Sequence, residues 1–255
     1  MRIVSLCPSL TELVFDLGLG DDLVGRTKFC VHPADRVGDV EKVGGTKNPK
    51  VERIVELAPD LVLLNEEENR IEDAEALRAA GLRCHTSMPM TVDATAAMVR
   101  SIGAAVDRTD AAEDIAADIE RRAGRVREAA AGRAPVRFAY LIWRDPIMAV
   151  SDDTFVSALL EMAGGVNVLA GAGERYPTIA SEALGAADPD IVLLSSEPFP
   201  FREEHRDELV AATGLPAERF RFADGELLSW HGSRTPAGID YAEKVVRWVS
   251  GLAAD

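Results

Sequence analysis

The hydrophobic positions of this chain include two runs that match each other. Residues 57–64 (LAPDLVLL) and 187–194 (ADPDIVLL) each place a Pro-Asp pair before an unbroken apolar segment. Such runs are typical of parallel strands that helices cover on both faces. Two further apolar strands, at 2–6 and 137–141, precede these runs at comparable distances. The pattern therefore predicts a duplicated α/β unit.

Between the strands, apolar residues recur with the spacing of amphipathic helices. Helices are predicted over 71–80, 180–186, 202–212 and 236–252, among others, and Ser9 with Glu12 matches a capping box at the start of the first helix. Residues 91–134 are helical without strands. The predicted fold class is α/β, with two similar Rossmann-like lobes of mostly parallel strands (1–90 and 135–255) joined by a long spine helix (91–134). The terminal helix is free to pack back on the spine or on the first lobe.

Charge and composition narrow the possible partners. The formal net charge is −15, which argues against nucleic acid and anionic membrane surfaces as main partners. No apolar run is long enough to insert into a bilayer. The protein is expected to be a monomer. The chain opens directly on a predicted strand, so a cytoplasmic location is expected as written, and an extracytoplasmic one if a leader has been removed. Three cysteines, an odd count, fit reduced thiols better than a disulfide framework.

Three motifs carry a resemblance to a known family. These are residues 5–12 (SLCPSLTE), 43–46 (VGGT) and 57–62 (LAPDLV), and they occur together with the Pro-Asp repeat and the spine. In this combination the chain resembles the helical-backbone metal-chelate receptors, the class III periplasmic substrate-binding proteins. The resemblance implies a non-catalytic protein that binds cobalamin, haem or a ferric siderophore in a cleft between two lobes. It also implies an ABC permease as partner.

By analogy with that family, the ligand contacts come from loops at strand ends and from aromatic side chains. In the first lobe the candidates are Pro8, Ser9, Lys28, Phe29, Cys30, His32, Gly45, Thr46, Asn65 and Glu66. In the second lobe they are Trp143, Arg144, Arg175, Tyr176, Phe199, Trp230 and His231. Aromatic faces suit a flat macrocycle, and the cationic side chains suit its carboxylates or phosphate. The alternative for the two tryptophans and Tyr176 is packing in a hinge or core.

Two further roles follow from the resemblance and from side-chain chemistry. His32 and His231 are candidate axial metal ligands because neutral imidazole binds iron, cobalt and zinc, although a lone loop histidine is usually a surface or capping residue. Surface carboxylates of the family dock on permease arginines, and the candidates are Glu68 and Glu72 in lobe one and Glu203 and Glu204 in lobe two. Acidic residues in a first helical turn also interact with the helix dipole, which needs no partner.

An enzyme is the rival class of protein. Cys7 precedes a helix, where a thiol can be acidified, and His32 or His85 could serve as its base. The sequence has no Gly-x-Ser-x-Gly elbow, no Walker loop and no dinucleotide fingerprint. We therefore predict no catalytic residues and no catalytic cofactor. A cytoplasmic sensor or chaperone for a chelate cofactor would use the same cleft without turnover.

Overall fold

The computed structural model describes residues 1–249 and 251, which divide into two compact units. Unit 1 comprises residues 1–89, 93–118 and 231–234, and unit 2 comprises residues 90–92, 119–230 and the chain from 235. Each unit contains its own sheet, and all but one of the strand pairings within the sheets are parallel. The predicted α/β fold with two mostly parallel sheets is confirmed.

Unit 1 is built around a four-stranded parallel sheet with the order β2-β1-β3-β4. Its elements are β1 (Ile3–Ser5), α1 (Pro8–Asp16), β2 (Leu23–Arg26), α2 (Val51–Glu56), β3 (Leu61–Asn65), α3 (Ile71–Ala79) and β4 (Cys84–Ser87). Every residue of β1 and β3 is buried, as their largely apolar sequences require, and the polar residues Ser5 and Asn65 end the two strands.

Two consecutive helices follow, α4 (Val92–Ala105) and α5 (Thr109–Ala130). Helix α5 has 22 residues, and the sequence predicts an apolar stripe along it. Ile115 of that stripe is half-buried and the other members are buried, namely Ala112, Ala116, Ile119, Ala123 and Val126. Unit 1 takes in α5 as far as residue 118, and unit 2 takes in the remainder. None of the helices within residues 1–249 combines the length and the apolar character needed to cross a membrane.

Unit 2 has a sheet with the order β6-β5-β8-β9, and β7 also pairs with β5. Its elements are β5 (Val136–Trp143), β6 (Met148–Ala149), α6 (Phe155–Met162), β7 (Gly165–Asn167), α7 (Ser181–Ala187), β8 (Ile191–Ser195), α8 (Glu203–Thr213), β9 (Phe220–Ala223), α9 (Gly225–Ser229) and α10 (Thr235–Val249). Strand β6 pairs antiparallel with β5. The sequence did not predict β7 or α9, because segments of three to five residues carry too little periodicity.

The predicted repeat extends to individual hydrogen bonds. The amide of Arg2 donates to Asp60 Oδ2 at 2.7 Å, and the amide of Arg137 donates to Asp190 Oδ2 at 2.8 Å. The Arg2 side chain also donates to the carbonyl oxygen of Leu57, the C-cap residue of α2. The Arg137 side chain donates in the same way to the carbonyl oxygen of Ala187, which ends α7. The Pro-Asp pairs therefore recur because their aspartates bind the start of the neighbouring strand.

The predicted capping box on α1 is wrong. The helix begins two residues earlier, at Pro8, and its N-cap Cys7 makes no side-chain capping bond. Proline suits the first helical turn because it lacks the amide hydrogen that would be unpaired there. The Glu12 carboxylate instead accepts two bonds from Arg234, at 2.6 and 2.8 Å. For the terminal helix predicted over 236–252, α10 ends at Val249, and residues 250 and 252 lie outside the described residues.

The assignment of His231 to the second lobe is also wrong. Residues 231–234 belong to unit 1, although the chain on either side of them belongs to unit 2. Two sets of polar contacts account for this: His231 bonds to Asn65 at 3.1 Å, and Arg234 pairs with Glu12 of α1. Neither partner is near in sequence, so no local pattern could have indicated the placement.

Candidate functional site

The candidate residues of unit 1 follow the carboxyl ends of its strands. Pro8 and Ser9 follow β1, the segment 28–32 follows β2, and Asn65 ends β3. The carboxyl ends of parallel strands lie at one edge of a sheet, which is where open α/β sheets usually bind ligands. The sheet topology therefore brings these candidates to the same edge.

Asn65 is the centre of a hydrogen-bond network at that edge. Its side-chain Oδ1 accepts from the amides of Glu67 at 2.9 Å and Glu68 at 3.1 Å. Its Nδ2 donates to the Ser87 carbonyl oxygen at 3.0 Å and lies 3.1 Å from His231 Nε2. Since the first three bonds determine which amide atom is the nitrogen, Nδ2 is the donor to His231. His231 Nε2 is therefore an acceptor, and the ring is neutral with its proton on Nδ1.

This bond bears on the predicted metal role of His231. A metal at Nε2 would have to replace the Asn65 hydrogen bond, because both use the same lone pair. His32 is half-buried in the loop after β2. Among residues 1–249 and 251, no group of three or more His, Cys, Asp or Glu side chains is placed to hold a metal ion. Axial ligation of a chelated metal by either histidine stays a prediction.

A second asparagine, Asn69, was missed from the sequence. Its Nδ2 donates to the carbonyl oxygens of Leu6 and Thr46, each at 3.0 Å, and its Oδ1 accepts from the Asn65 amide at 2.9 Å. Asn69 thereby joins the loop after β3 to the β1 end and to the glycine-bearing segment 43–46. The sequence did contain a signal for Asn69, since it is a second asparagine, four residues after Asn65, in the loop that follows a buried strand.

The candidates Gly45 and Thr46 are buried, with Thr46 only 7% exposed. Gly44 precedes them with a φ of +116°, a backbone conformation that favours glycine. A Cβ at Gly44 would lie 2.7 Å from the Asn48 carbonyl oxygen, so a side chain does not fit. This segment therefore contributes to the edge mainly through its backbone.

The two thiols at this edge are buried. Cys7 is 2% exposed and Cys30 is 1% exposed. Burial raises the pKa of Cys7 to about 12, and burial also raises the pKa of Cys30. The thiolate is the reactive form of cysteine, and it is disfavoured here. This environment opposes the enzyme alternative that used Cys7 as a nucleophile.

Lys28, Phe29 and Glu66 are exposed candidates of unit 1. The Phe29 side chain is 51% exposed, and Lys28 Nζ lies 4.8 Å from the centre of its ring. An exposed aromatic ring with a cation beside it can make both apolar and charged contacts. Lys28 and Phe29 therefore offer a cation and an aromatic face on the surface of unit 1.

Unit 2 contains an aromatic cluster that we define as Trp143, Phe199, Phe201 and His205. Trp143 ends β5, and Phe199 meets its ring edge-on, with centroids 5.6 Å apart. The Phe199 ring also lies 5.0 Å from the Phe201 ring and 5.0 Å from the His205 ring. Trp143 remains 40% exposed. Phe201 and His205 were not among the candidate ligand contacts. The sequence Phe-Pro-Phe, which follows the buried strand β8, could have indicated an aromatic cluster there.

Trp230 is in a different environment. It is 8% exposed, and its indole Nε1 donates to Glu197 Oε1 at 2.8 Å. Glu197 lies in the loop after β8, where its amide donates to Ser195 Oγ at 3.2 Å. The packing alternative thus describes the surroundings of Trp230 better than an open stacking face does. Glu197 was missed, because a single glutamate in a polar loop carries no distinguishing pattern.

The two candidate arginines of unit 2 have partners within the unit. Arg144 donates through Nε and Nη2 to Glu208 Oε2, at 2.8 and 2.5 Å. The Arg175 guanidinium lies 5.8 Å from the centre of the Tyr176 ring, and the Arg175 carbonyl oxygen accepts from the Ser151 amide. An anionic ligand would compete with Glu208 for Arg144. Because the Arg144–Glu208 pair is exposed, it is weak and Glu208 is easily displaced.

The candidate docking acids differ in exposure. Glu68 is half-buried, and burial raises its pKa above the ordinary value, although the nearby Lys47 acts in the opposite direction. Glu72, Glu203 and Glu204 are exposed. Glu72 is the second residue of α3, and Glu204 is the second residue of α8. These helices follow the equivalent strands β3 and β8, so the two carboxylates occupy matching places in the repeat.

Comparison with known proteins agrees with this architecture. A family model described as "Periplasmic binding protein" matches residues 3–215. The vitamin B12-binding protein of Vibrio cholerae serotype O1 is 26% identical over 248 residues, which cover 97% of this chain and 88% of that protein. The crystal structure of the periplasmic vitamin B12 binding protein BtuF of Vibrio cholerae has a TM-score of 0.84 at 22% identity, covering 98% of this chain and 97% of that one. The apo periplasmic heme-binding protein RhuT from Roseiflexus sp. RS-1 has a TM-score of 0.83 at 26% identity, covering 99% of both chains.

Proposed function

Because this chain belongs to the periplasmic binding protein family, we propose that it binds a metal chelate for uptake through an ABC-type importer. Family membership confirms the resemblance predicted from the sequence and the prediction of a binding protein rather than an enzyme. The names of the relatives support cobalamin or haem as the ligand class, and ferric siderophores remain within the proposal. The same names support an extracytoplasmic location, the second of the two predicted compartments.

The observation that carries this proposal is the exposed Trp143 beside Phe199. Its indole Nε1 donates to the Asp145 carbonyl oxygen at 3.1 Å, and Phe199 meets its ring edge-on. A ring supported in this way loses little conformational freedom when a ligand stacks against it. A flat, conjugated ligand gains dispersion contact from such a ring, as corrins and porphyrins do.

Following the family resemblance, we propose ligand contacts on each unit, taken separately. Lys28 and Phe29 are the proposed contacts from unit 1, and Pro8, Ser9 and Asn65 lie at the same edge of its sheet. Trp143, Phe199 and Arg144 are the proposed contacts from unit 2. Lys28 and Arg144 would bind carboxylates or phosphate at the ligand rim.

A titration of the purified chain tests the proposed function. Absorbance and calorimetric titrations with cyanocobalamin, haemin and a ferric catecholate would each be carried to saturation. We expect saturable one-to-one binding of one of these three chelates. If none binds while the circular dichroism spectrum is that of an α/β protein, the chelate-receptor proposal is wrong for this chain.

We propose that Glu72 and Glu204 dock the protein on its permease. The matching helical positions and the exposure of both carboxylates support this choice over the half-buried Glu68. We expect the double variant Glu72→Lys, Glu204→Lys to bind a liposome-reconstituted ABC-type cobalamin permease about tenfold more weakly at low salt, because like charges then face each other. Ligand affinity should not change.

The control for this experiment is Glu75→Lys with Glu218→Lys. Both residues are exposed acids, one later in α3 and one outside α8, so the net charge changes by the same amount. Equal loss of permease binding in the test and control variants would show that net charge matters and that the two positions do not.

A further inference from the structure

Trp230 and His231 are adjacent in the chain, yet each is bonded to a different loop. Trp230 Nε1 donates to Glu197 in the loop after β8, at 2.8 Å. His231 Nε2 accepts from Asn65, the last residue of β3, at 3.1 Å. The first bond lies within unit 2 and the second within unit 1. Two consecutive side chains thus hold one loop in each unit.

The two loops are equivalent in the repeat. Asn65 ends β3, and Ser195 ends β8. In each loop the side-chain oxygen of that last residue accepts the amide two positions later, from Glu67 at 2.9 Å and from Glu197 at 3.2 Å. The bonds from the dipeptide therefore reach the same turn in both halves of the repeat.

Both side chains are buried and polar, which suits holding a loop better than contacting a ligand. Trp230 and His231 are each 8% exposed. A buried polar group that loses its partner destabilises the structure around it more than an exposed one does. Neighbouring structure supports the Glu197 turn as well, since Tyr140 Oη lies 2.9 Å from Ser195 Oγ in the same network.

We propose that Trp230 and His231 are positioning residues that couple the two strand-end loops. The peptide bond between them means that a shift of one side chain displaces the anchor of the other loop. The loop after β8 presents Phe199 to Trp143, and the loop after β3 carries Asn65 and Glu66. On the proposed function, which this inference deepens, the pair keeps both ligand-facing loops ordered together.

Amide hydrogen exchange tests the coupling without a ligand. The amides to follow are those of Glu67 and Glu68 in one loop and Glu197 in the other. Trp230→Phe removes the N–H donor and keeps an aromatic ring, and His231→Leu removes the acceptor. We expect each variant to accelerate exchange about tenfold in both loops, including the loop to which the altered residue is not bonded.

Two matched variants separate coupling from a general loss of stability. His231→Gln supplies a carbonyl oxygen that can accept from Asn65, so it should restore slow exchange in both loops. Trp248→Phe is the same substitution at an exposed tryptophan in α10 and should leave both loops unchanged. Exchange of the Val62 and Val192 amides within β3 and β8 reports global opening.

Acceleration confined to the loop that lost its own bond would overturn the proposal. Equal acceleration of the loops and of the two strand amides would also overturn it, because this indicates global unfolding. The ligand titration is independent of these measurements. If no chelate binds but cross-loop acceleration is observed, the proposed function is wrong and the coupling stands.

Discussion

Replacing Trp143 with alanine is expected to weaken chelate binding about tenfold or more, a loss of at least ~1.4 kcal/mol of binding free energy. The indole is 40% exposed at the end of β5 and is supported by Phe199 at 5.6 Å. Removing the ring takes away the proposed stacking surface and its edge-on contact with Phe199. The measurement is the dissociation constant from the calorimetric titration, made with the chelate that the wild-type chain binds.

Trp248→Ala is the matched control for that substitution. Trp248 is 42% exposed, almost the same fraction as Trp143, but it lies near the end of α10 with the Arg221 guanidinium 3.9 Å from its ring centre. Its removal should change the dissociation constant by less than about twofold, since surface substitutions away from a site have small effects. If Trp143→Ala binds as tightly as Trp248→Ala, the aromatic cluster is not the ligand surface.

Replacing Arg234 with alanine is expected to lower the free energy of unfolding by about 2–4 kcal/mol. Arg234 makes a bidentate pair with Glu12, and the two side chains are 17% and 18% exposed. Loss of the guanidinium leaves the Glu12 carboxylate largely buried without its two donors, which costs more than the pair itself contributes. It also removes an anchor that holds residues 231–234 on α1. Urea unfolding followed by circular dichroism measures the change.

Arg100→Ala provides the comparison for Arg234→Ala. Arg100 and Glu113 form a bidentate pair of the same kind, at 2.7 and 2.8 Å, but their side chains are 35% and 56% exposed. Water screens this pair, so its loss should cost no more than about 1 kcal/mol. Replacing both Glu12 and Arg234 with methionine should destabilise less than Arg234→Ala, because no charge is then left buried. Equal losses for Arg234→Ala and Arg100→Ala would contradict the role given to burial.

The sequence alone was sufficient to predict the strands and the internal repeat. A parallel strand buried on both faces is apolar over most of its length, so the sequence shows β3 and β8 as apolar runs that end at Asn65 and Ser195. The Pro-Asp pairs recur because Asp60 and Asp190 each bind the amide that starts a neighbouring strand. The receptor family followed from these local features together with the opening motif, and family comparison confirmed it.

The sequence predicted which loops carry the candidate site residues, but not the partners to which those residues bond. Loops at the carboxyl ends of strands follow from the order of elements, so Asn65, Phe199 and Trp143 could be named. Their partners could not, since the bonds from Asn65 to His231 and from Glu197 to Trp230 span 166 and 33 residues of sequence. Periodicity carries no information on contacts at such separations.

The sequence by itself determined the α/β architecture, its duplication and the class of protein, because each depends on local patterns of apolar, proline and acidic residues. Tertiary structure decided the rest. It set which tryptophan is exposed and which is buried, assigned His231 and Arg234 to unit 1, and paired Glu12 with Arg234 in place of a helix cap. These outcomes depend on which distant side chains share a low-dielectric environment, and that is settled only when the chain has folded.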